Sequence, residues 1–386
     1  MSIETVKGFR DIEDASKRIA IKKIIEETFK LYNFNPVEMP LIESEEFVRG
    51  NNSDDEAVSS IFKLQDRGER KLALRYELTF QYKRLAQNKK LPYKIYQMGT
   101  VFRDEPVTGN RWRQFTQCDV DIVGAELADI AELLKISAEI FKQLNIVSVI
   151  SVNNRKLLNE ILGELGIVEQ NKTLVIREID KLDKLPEKEV LENLKKYKAE
   201  KILSVLKKPE SYFERYKNYE DIKNLKKLCS LYGVKVQFSP FLARGLSYYN
   251  WIIFEIKSSL KETITGGGSY LINGIQSSGI SFGLDRLELL ADVAVDTQKV
   301  LIISLNQDKK SIALAELLRG KNVSCQIFYG KPGKALEYAN SYQIPYVIFI
   351  GDEEVKKKKY KLKDMKSGKE KLVGEKELVK NFVSSL

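Results

Sequence analysis

At 386 residues, 43% hydrophobic and 31% charged, the chain has material for two or three globular domains with ample core. No apolar run approaches the roughly 18 residues of a membrane span. The start, MSIETVKGF, carries no signal-peptide pattern, so no membrane association and a cytoplasmic location are expected. Three widely spaced cysteines indicate neither a disulfide framework nor a zinc site, and no metal ligands are assigned. The net charge of +10 and a pI of about 9.1 favour a polyanionic partner. There is no histidine, which excludes imidazole bases, histidine triads and histidine metal ligands. Catalysis must therefore rest on arginine, lysine, carboxylates, a bound metal or the substrate's own groups.

In chain order, Lys7–Ile12 precedes a helix over Glu13–Tyr32, with Ile21, Ile25 and Phe29 among its apolar positions. Val37–Ile42, around Pro40, reads as a short strand; because proline lacks a ladder donor it suggests a boundary or interface, with a plain helix-to-strand connection as the alternative. Phe62–Asp66 and Lys71–Arg75 read as paired strands, followed by a helix over Phe80–Gln87. Glu77 and Thr79 stand between strand and helix, where they could cap the helix or line a pocket.

Val101–Gly124 reads as a hairpin. Its return strand alternates, so Phe115, Gln117, Asp119 and Asp121 share one face, and Gln114, Thr116, Cys118, Val120 and Ile122 the other. Arginines at its start and tip, with acids on the return, suit an anion and a cationic or N–H-bearing group held side by side. A merely wetted polar face is the alternative.

A helix over Leu127–Gln143 and a strand over Val147–Val152 follow. Asn153–Gly233 is rich in Lys, Glu and Leu and reads as a helical insertion whose charges are solvated faces or polyanion contacts. Strands return at Val234–Phe238 and Trp251–Ile256. The glycine run after Thr265 is either a loose loop or a place where a ligand approaches the backbone. Gly279–Leu287 reads as a strand, a glycine and a helix start, with Arg286 in the first turn. A cation there opposes the helix dipole, so Arg286 answers an anion or carboxylate or is a plain surface arginine. After a hinge at Asp292–Gln298, strands Val300–Leu305, Val323–Phe328 and Tyr346–Ile350 alternate with helices as a separate α/β domain with a mixed sheet.

Taken together, these segments resemble one family. Pro40 with the helix before it looks like class II synthetase motif 1. Phe102–Glu105 with Arg111–Phe115 looks like motif 2, and Gly283–Leu287 like motif 3. Arg244-Gly245-Leu246-Ser247-Tyr248-Tyr249 is similar to the RGLDYY element of histidyl-tRNA synthetases, and Ile179–Lys184 is also family-like. The resemblance runs nearly end to end. It implies an α/β protein whose catalytic domain, residues 1–297, has an antiparallel sheet with flanking helices and a helical insertion at about 155–233. An α/β anticodon-binding domain over 298–386 would follow.

The activity so implied is ATP-dependent attachment of histidine to its tRNA through histidyl-adenylate, with Mg²⁺ and a homodimer. By matching position, Arg103 would grip the α-phosphate, and Arg244 the reacting phosphate and carboxylate. Glu105 would lie near adenine, and Arg111 or Arg113, with Arg286, would hold the phosphate tail or adenine. Glu77 and Thr79 would take the ammonium, with Gln117 close to the amino acid. Asp121 and Tyr249, beside Tyr248, would hold the imidazole. In this family the second step uses a phosphate oxygen of the adenylate as base, so no protein imidazole is required.

The chain departs from the family pattern at Ser247, which replaces an Asp, and at Ser269, which replaces an Arg. Thr116 stands at a usually aromatic or His position, and Asp121 is one methylene shorter than the usual Glu. The alternative is an inactive paralogue serving as a regulatory subunit of ATP phosphoribosyltransferase. Such a chain usually lacks the last domain and loses arginines that are kept here.

Overall fold

The computed structural model describes residues 3–50, 56–109, 111–244, 248–258, 263–295 and 300–383. Two compact units emerge, Met1–Ala294 and Val295–Leu386. The strands in chain order are β1 (Asn35–Pro36), β2 (Ile42–Ser44), β3 (Lys63–Gln65), β4 (Lys71–Leu74), β5 (Tyr93–Phe102), β6 (Gln114–Val123), β7 (Val149–Asn154), β8 (Val236–Phe238), β9 (Ile252–Lys257), β10 (Thr265–Ile272) and β11 (Ile275–Gly283) in the first unit. In the second they are β12 (Val300–Ser304), β13 (Cys325–Tyr329), β14 (Tyr346–Ile350), β15 (Tyr360–Asp364) and β16 (Glu370–Val373).

The first unit is organised on an eight-stranded sheet in the order β1-β5-β6-β11-β10-β9-β7-β8, antiparallel except at its two ends. Its two faces differ because β6 alternates. Cys118, Val120 and Ile122 pack into the large core with Ile280 and Phe282 of β11. Helices Ser16–Leu31 and Leu127–Gln143 cover that face. Ile21, Ile25 and Phe29, four apart, put one stripe of the first helix into this core. The second helix starts at a capping box in which the Glu126 N–H donates to Asp129 Oδ2 at 2.8 Å. The opposite face carries Gln97, Gln117, Asp119, Asp121 and Ser281, and is the floor of a cavity.

Between Arg155 and Leu231 the chain is helical, with no strand. Its apolar residues, including Val175, Ile179, Leu194 and Ile202, join the large core. The second unit has sheet order β13-β12-β14-β15-β16, parallel through β14 and antiparallel beyond it, which is the expected mixed sheet.

Three expectations change. Val37–Ile42 is no strand, because β1 lies before it and β2 begins only at Ile42. The Met39 and Pro40 carbonyls accept from Arg75 Nη1 at 2.8 Å and Gln81 Nε2 at 2.9 Å, so side chains take the place of a ladder. The helix expected over Phe80–Gln87 is a 3₁₀ turn, Thr79–Gln81, continued by one α-helical turn, Tyr82–Leu85. The glycine run belongs to β10, in the interior of the sheet.

Candidate functional site

A cavity of about 560 Å³ opens on the polar face of the large sheet. Of the twelve residues selected from the sequence, it is lined by Glu77, Thr79, Arg103, Glu105, Arg111, Gln117, Asp121, Arg244, Tyr248, Tyr249 and Arg286. The alternation of β6 brings Phe115, Gln117, Asp119 and Asp121 into it together. Phe115 and Asp121 are six residues apart, about 20 Å of extended strand, so the cavity has two distinct ends.

The Phe115 end is basic. The Arg103 guanidinium stacks on Phe115, 5.1 Å from the ring centroid, while its Nε donates to the Tyr76 carbonyl at 3.0 Å. Arg111 Nη1 lies 3.7 Å from Glu105 Oε2. Arg286 donates to the Thr263 carbonyl at the lip. Arg113 stands apart from the cavity wall and braces the hairpin loop. Its Nη2 pairs with Asp104 Oδ1 at 3.1 Å, its Nε donates to the Glu105 carbonyl at 3.2 Å, and its own N–H donates to the Gly8 carbonyl at 2.9 Å.

The Asp121 end is acidic and closed. Asp119 and Asp121 are each 2% exposed and Glu77 5%. Gly279 faces Asp121 across the β6–β11 ladder, and a Cβ at 279 would overlap the carboxylate and crowd the Tyr270 hydroxyl. Tyr270 donates to Asp121 Oδ1, and Tyr248 donates to Glu77 Oε2 at 3.2 Å. Gln117 Nε2 donates to Ser281 Oγ. Burial raises the Asp119 carboxyl to about 7. Burial, reinforced by the charge of Asp119, raises Asp121 as well. Glu77 and Thr79 both line the cavity, Thr79 as the first residue of the 3₁₀ turn that follows Leu78.

Arg244 enters over β10, where a Cβ at Gly266 would stand 2.6 Å from its Nη1. Gly266 pairs with Ser281, which pairs with Asp119, so Arg244 crosses the sheet two strands from the acids. Its backbone has φ 54°, a left-handed conformation uncommon outside glycine and asparagine. Arg155 holds that bend by donating to the Ala243 and Arg244 carbonyls at 3.0 and 3.2 Å. Among the described residues the Nε of Arg244 has no partner, and its Nη1 lies 3.6 Å from Glu255 Oε1. Burial opposes its charge, but Tyr249, Glu255 and Asp180 outweigh burial and keep its pKa above the ordinary value. Gly245, Leu246 and the Ser247 departure lie outside the described residues.

Sequence reasoning gave no site role to Glu255, Ser281 and Asp180, which also line the cavity. Glu255 did leave a signal: it is a lone acid within an otherwise apolar strand. Asp180 lay in the family-like segment Ile179–Lys184, and Ser281 had no signal beyond position.

A family model described as histidyl-tRNA synthetase matches residues 8–287, and one described as anticodon binding domain matches residues 299–385. Histidine–tRNA ligase 1 of Bacillus anthracis is 34% identical over 414 residues, covering 96% of this chain and 97% of its own. The histidine–tRNA ligase of Wolinella succinogenes is 31% identical, covering 95% of each chain. Among solved structures, histidyl-tRNA synthetase from Nostoc sp. PCC 7120 matches 100% of both chains with a TM-score of 0.86 at 24% identity. A chain described as an ATP phosphoribosyltransferase regulatory subunit/histidyl-tRNA synthetase from Bacillus halodurans has a TM-score of 0.76 at 19% identity, over 90% of this chain. By its sequence matches along almost the whole length, on the fold that carries this cavity, the chain belongs to the histidyl-tRNA synthetase family of class II aminoacyl-tRNA synthetases.

Proposed function

We propose that this cavity joins histidine to ATP and passes the histidyl group to the 3′-terminal ribose of its tRNA. The observation that carries this reading is the division of one cavity into a basic end and a buried acidic end, with Arg244 on the same wall two strands from the acids. An aminoacyl-adenylate has the matching division: anionic phosphate and purine on one side, ammonium and side chain on the other.

In the first step the histidine carboxylate attacks the α-phosphorus in line and pyrophosphate leaves. Negative charge grows on the phosphate oxygens, and fixed guanidinium groups stabilise it. Arg103 takes the α-phosphate, its plane already held by Phe115 and the Tyr76 carbonyl. Arg244 bridges that phosphate and the attacking carboxylate, using an Nε with no partner among the described residues. Glu105 and Arg111 receive adenine and the outer phosphates together with Arg286. Arg113 acts through the loop it braces. Glu77 and Thr79 take the ammonium, Gln117 lies beside the amino acid, and Asp121 with Tyr249 and Tyr248 holds the ring.

In the second step the ribose hydroxyl attacks the histidyl carbonyl and AMP leaves. Its proton goes to the leaving phosphate, which suits a chain with no imidazole of its own. Magnesium would arrive on the ATP phosphates. Among the described residues no group of three acids or cysteines could hold an ion alone, so phosphates and water would supply most ligands.

A homodimer is supported by the likeness of the Pro40 region to motif 1 and by the exposed Leu41 and Ile42 that follow it. Light scattering tests it: a dimeric mass is expected, and a monomer at micromolar concentration contradicts it. A cytoplasmic location is consistent with the absence, among the described residues, of any helix long and apolar enough to cross a membrane.

Histidine-dependent exchange between ATP and pyrophosphate tests the function. Exchange by the purified protein is expected. Its absence would favour the regulatory-subunit reading, which the arginines Arg103, Arg244 and Arg286 and residues 299–385 oppose.

A further inference from the structure

The acidic end of the cavity holds more negative charge than a neutral ring can answer. Among the described residues Asp119 Oδ1 and Asp121 Oδ2 are both buried with no hydrogen-bond partner of good geometry, and the buried Tyr82 hydroxyl that faces Asp121 is likewise unpartnered. The remaining oxygen of Asp121 accepts from Tyr270, and Asp119 has Ser281 beside it on β11. The other charged or titratable groups facing the pair are Glu77, Arg75, Arg103, Tyr82 and Tyr270. Of the two arginines, Arg75 directs its hydrogen bonds to the Met39 and Thr100 carbonyls, and Arg103 lies toward Phe115. Leaving buried acceptors without donors is costly, and more so for carboxylates.

We propose that Asp119 is a second ring-binding carboxylate, and that Asp119 and Asp121 together hold the substrate imidazole as its doubly protonated cation. This rests on the reading of the cavity as a histidine site. A neutral imidazole has one N–H and can answer one of the two orphaned oxygens; the cation has two N–H groups and a charge. Burial raises both carboxyls, and by more than the charges of Arg103 and Arg75 lower Asp119. The arrangement also excludes rings of similar shape that stay neutral, because one carboxylate would remain unanswered.

The test is ¹⁵N NMR of ring-labelled histidine bound to the full-length protein at pH 8, above the free ring's pKa of about 6.5. Two protonated ring nitrogens are expected. One protonated and one bare nitrogen would overturn the proposal. Asp119→Asn should return the bound ring to its neutral form and weaken histidine binding by about tenfold or more; an unchanged ring state and affinity would remove Asp119 from the role. Without any variant, the 1,2,4-triazole analogue of histidine, which stays unprotonated at this pH, should bind at least about tenfold more weakly, and equal affinity would contradict the proposal. No calorimetric binding of histidine at all would instead bring down the underlying histidine reading, and is distinguishable from every result above.

Discussion

Asp285 accepts the backbone N–H of Thr116 at 3.0 Å, and so fastens the start of the helix carrying Arg286 to the strand carrying Asp119 and Asp121. Its other oxygen takes Arg18 Nη1 at 3.0 Å and Arg10 Nη2 at 2.9 Å. Burial by itself would raise the Asp285 carboxyl, but Arg18 and the Thr116 N–H outweigh burial and hold it below the ordinary value. Thr116 Oγ1 accepts from Arg18 Nη2 at 3.3 Å, which gives this departure from the family pattern a place: it faces the first helix, away from the cavity.

Asp285→Asn therefore loosens Arg286 and the first helix together. It should destabilise the first unit by about 2 kcal/mol, and raise the KM for ATP several-fold while leaving that for histidine nearly unchanged. Urea unfolding and exchange kinetics measure both.

Arg244→Ala should lower histidine-dependent exchange by at least about a hundredfold, the scale of losing one fixed charge at the reacting group. Circular dichroism should remain that of the parent, since the strained turn is held by Arg155 through carbonyls that the substitution keeps.

Gly279→Ala places a methyl group against the Asp121 carboxylate and the Tyr270 hydroxyl. The KM for histidine should rise roughly tenfold or more, with the KM for ATP little affected, because the basic end lies about 20 Å of strand away. Steady-state exchange with each substrate varied in turn checks the split.

The ligand-free protein should lose stability as the pH rises from 5 to 8. The Asp119 carboxyl titrates near 7 in the folded chain, against an ordinary 3.8, so the folded state binds the proton more tightly. That contribution is fully present below the ordinary value and is lost as the pH climbs through about 7. Asp285 has the opposite sign: its lowered pKa stabilises the folded state at neutral pH and fails only in acid. Thermal midpoints across this range should fall with pH, and Asp119→Asn should flatten the slope.

The parts legible in the sequence were those where side chains carry a period or a cap. The odd face of Gln114–Val123 could be assigned to the cavity because acids and amides alternate with apolar residues there. Helix Leu127–Gln143 could be bounded because Glu126 and Asp129 mark its start. The glycines of β10 carry no side chains and so no period; their place in the sheet is set by what lies over them, Arg244 at Gly266 and Phe254 at Gly267. Likewise, nothing local at Pro40 tells that Arg75 and Gln81 will take the neighbouring carbonyls. Arg113 matched a motif, but the chain crossing at Gly8 that turns it to bracing is a contact across more than a hundred residues.

The central claim is tested most directly by incubating the purified protein with ATP, labelled histidine and a histidine tRNA transcript. Acid-precipitable label that depends on ATP, is confined to histidine among the amino acids and disappears with Arg244→Ala is the predicted result. No label on the tRNA from a folded, ATP-binding preparation, or full activity of Arg244→Ala, would contradict it.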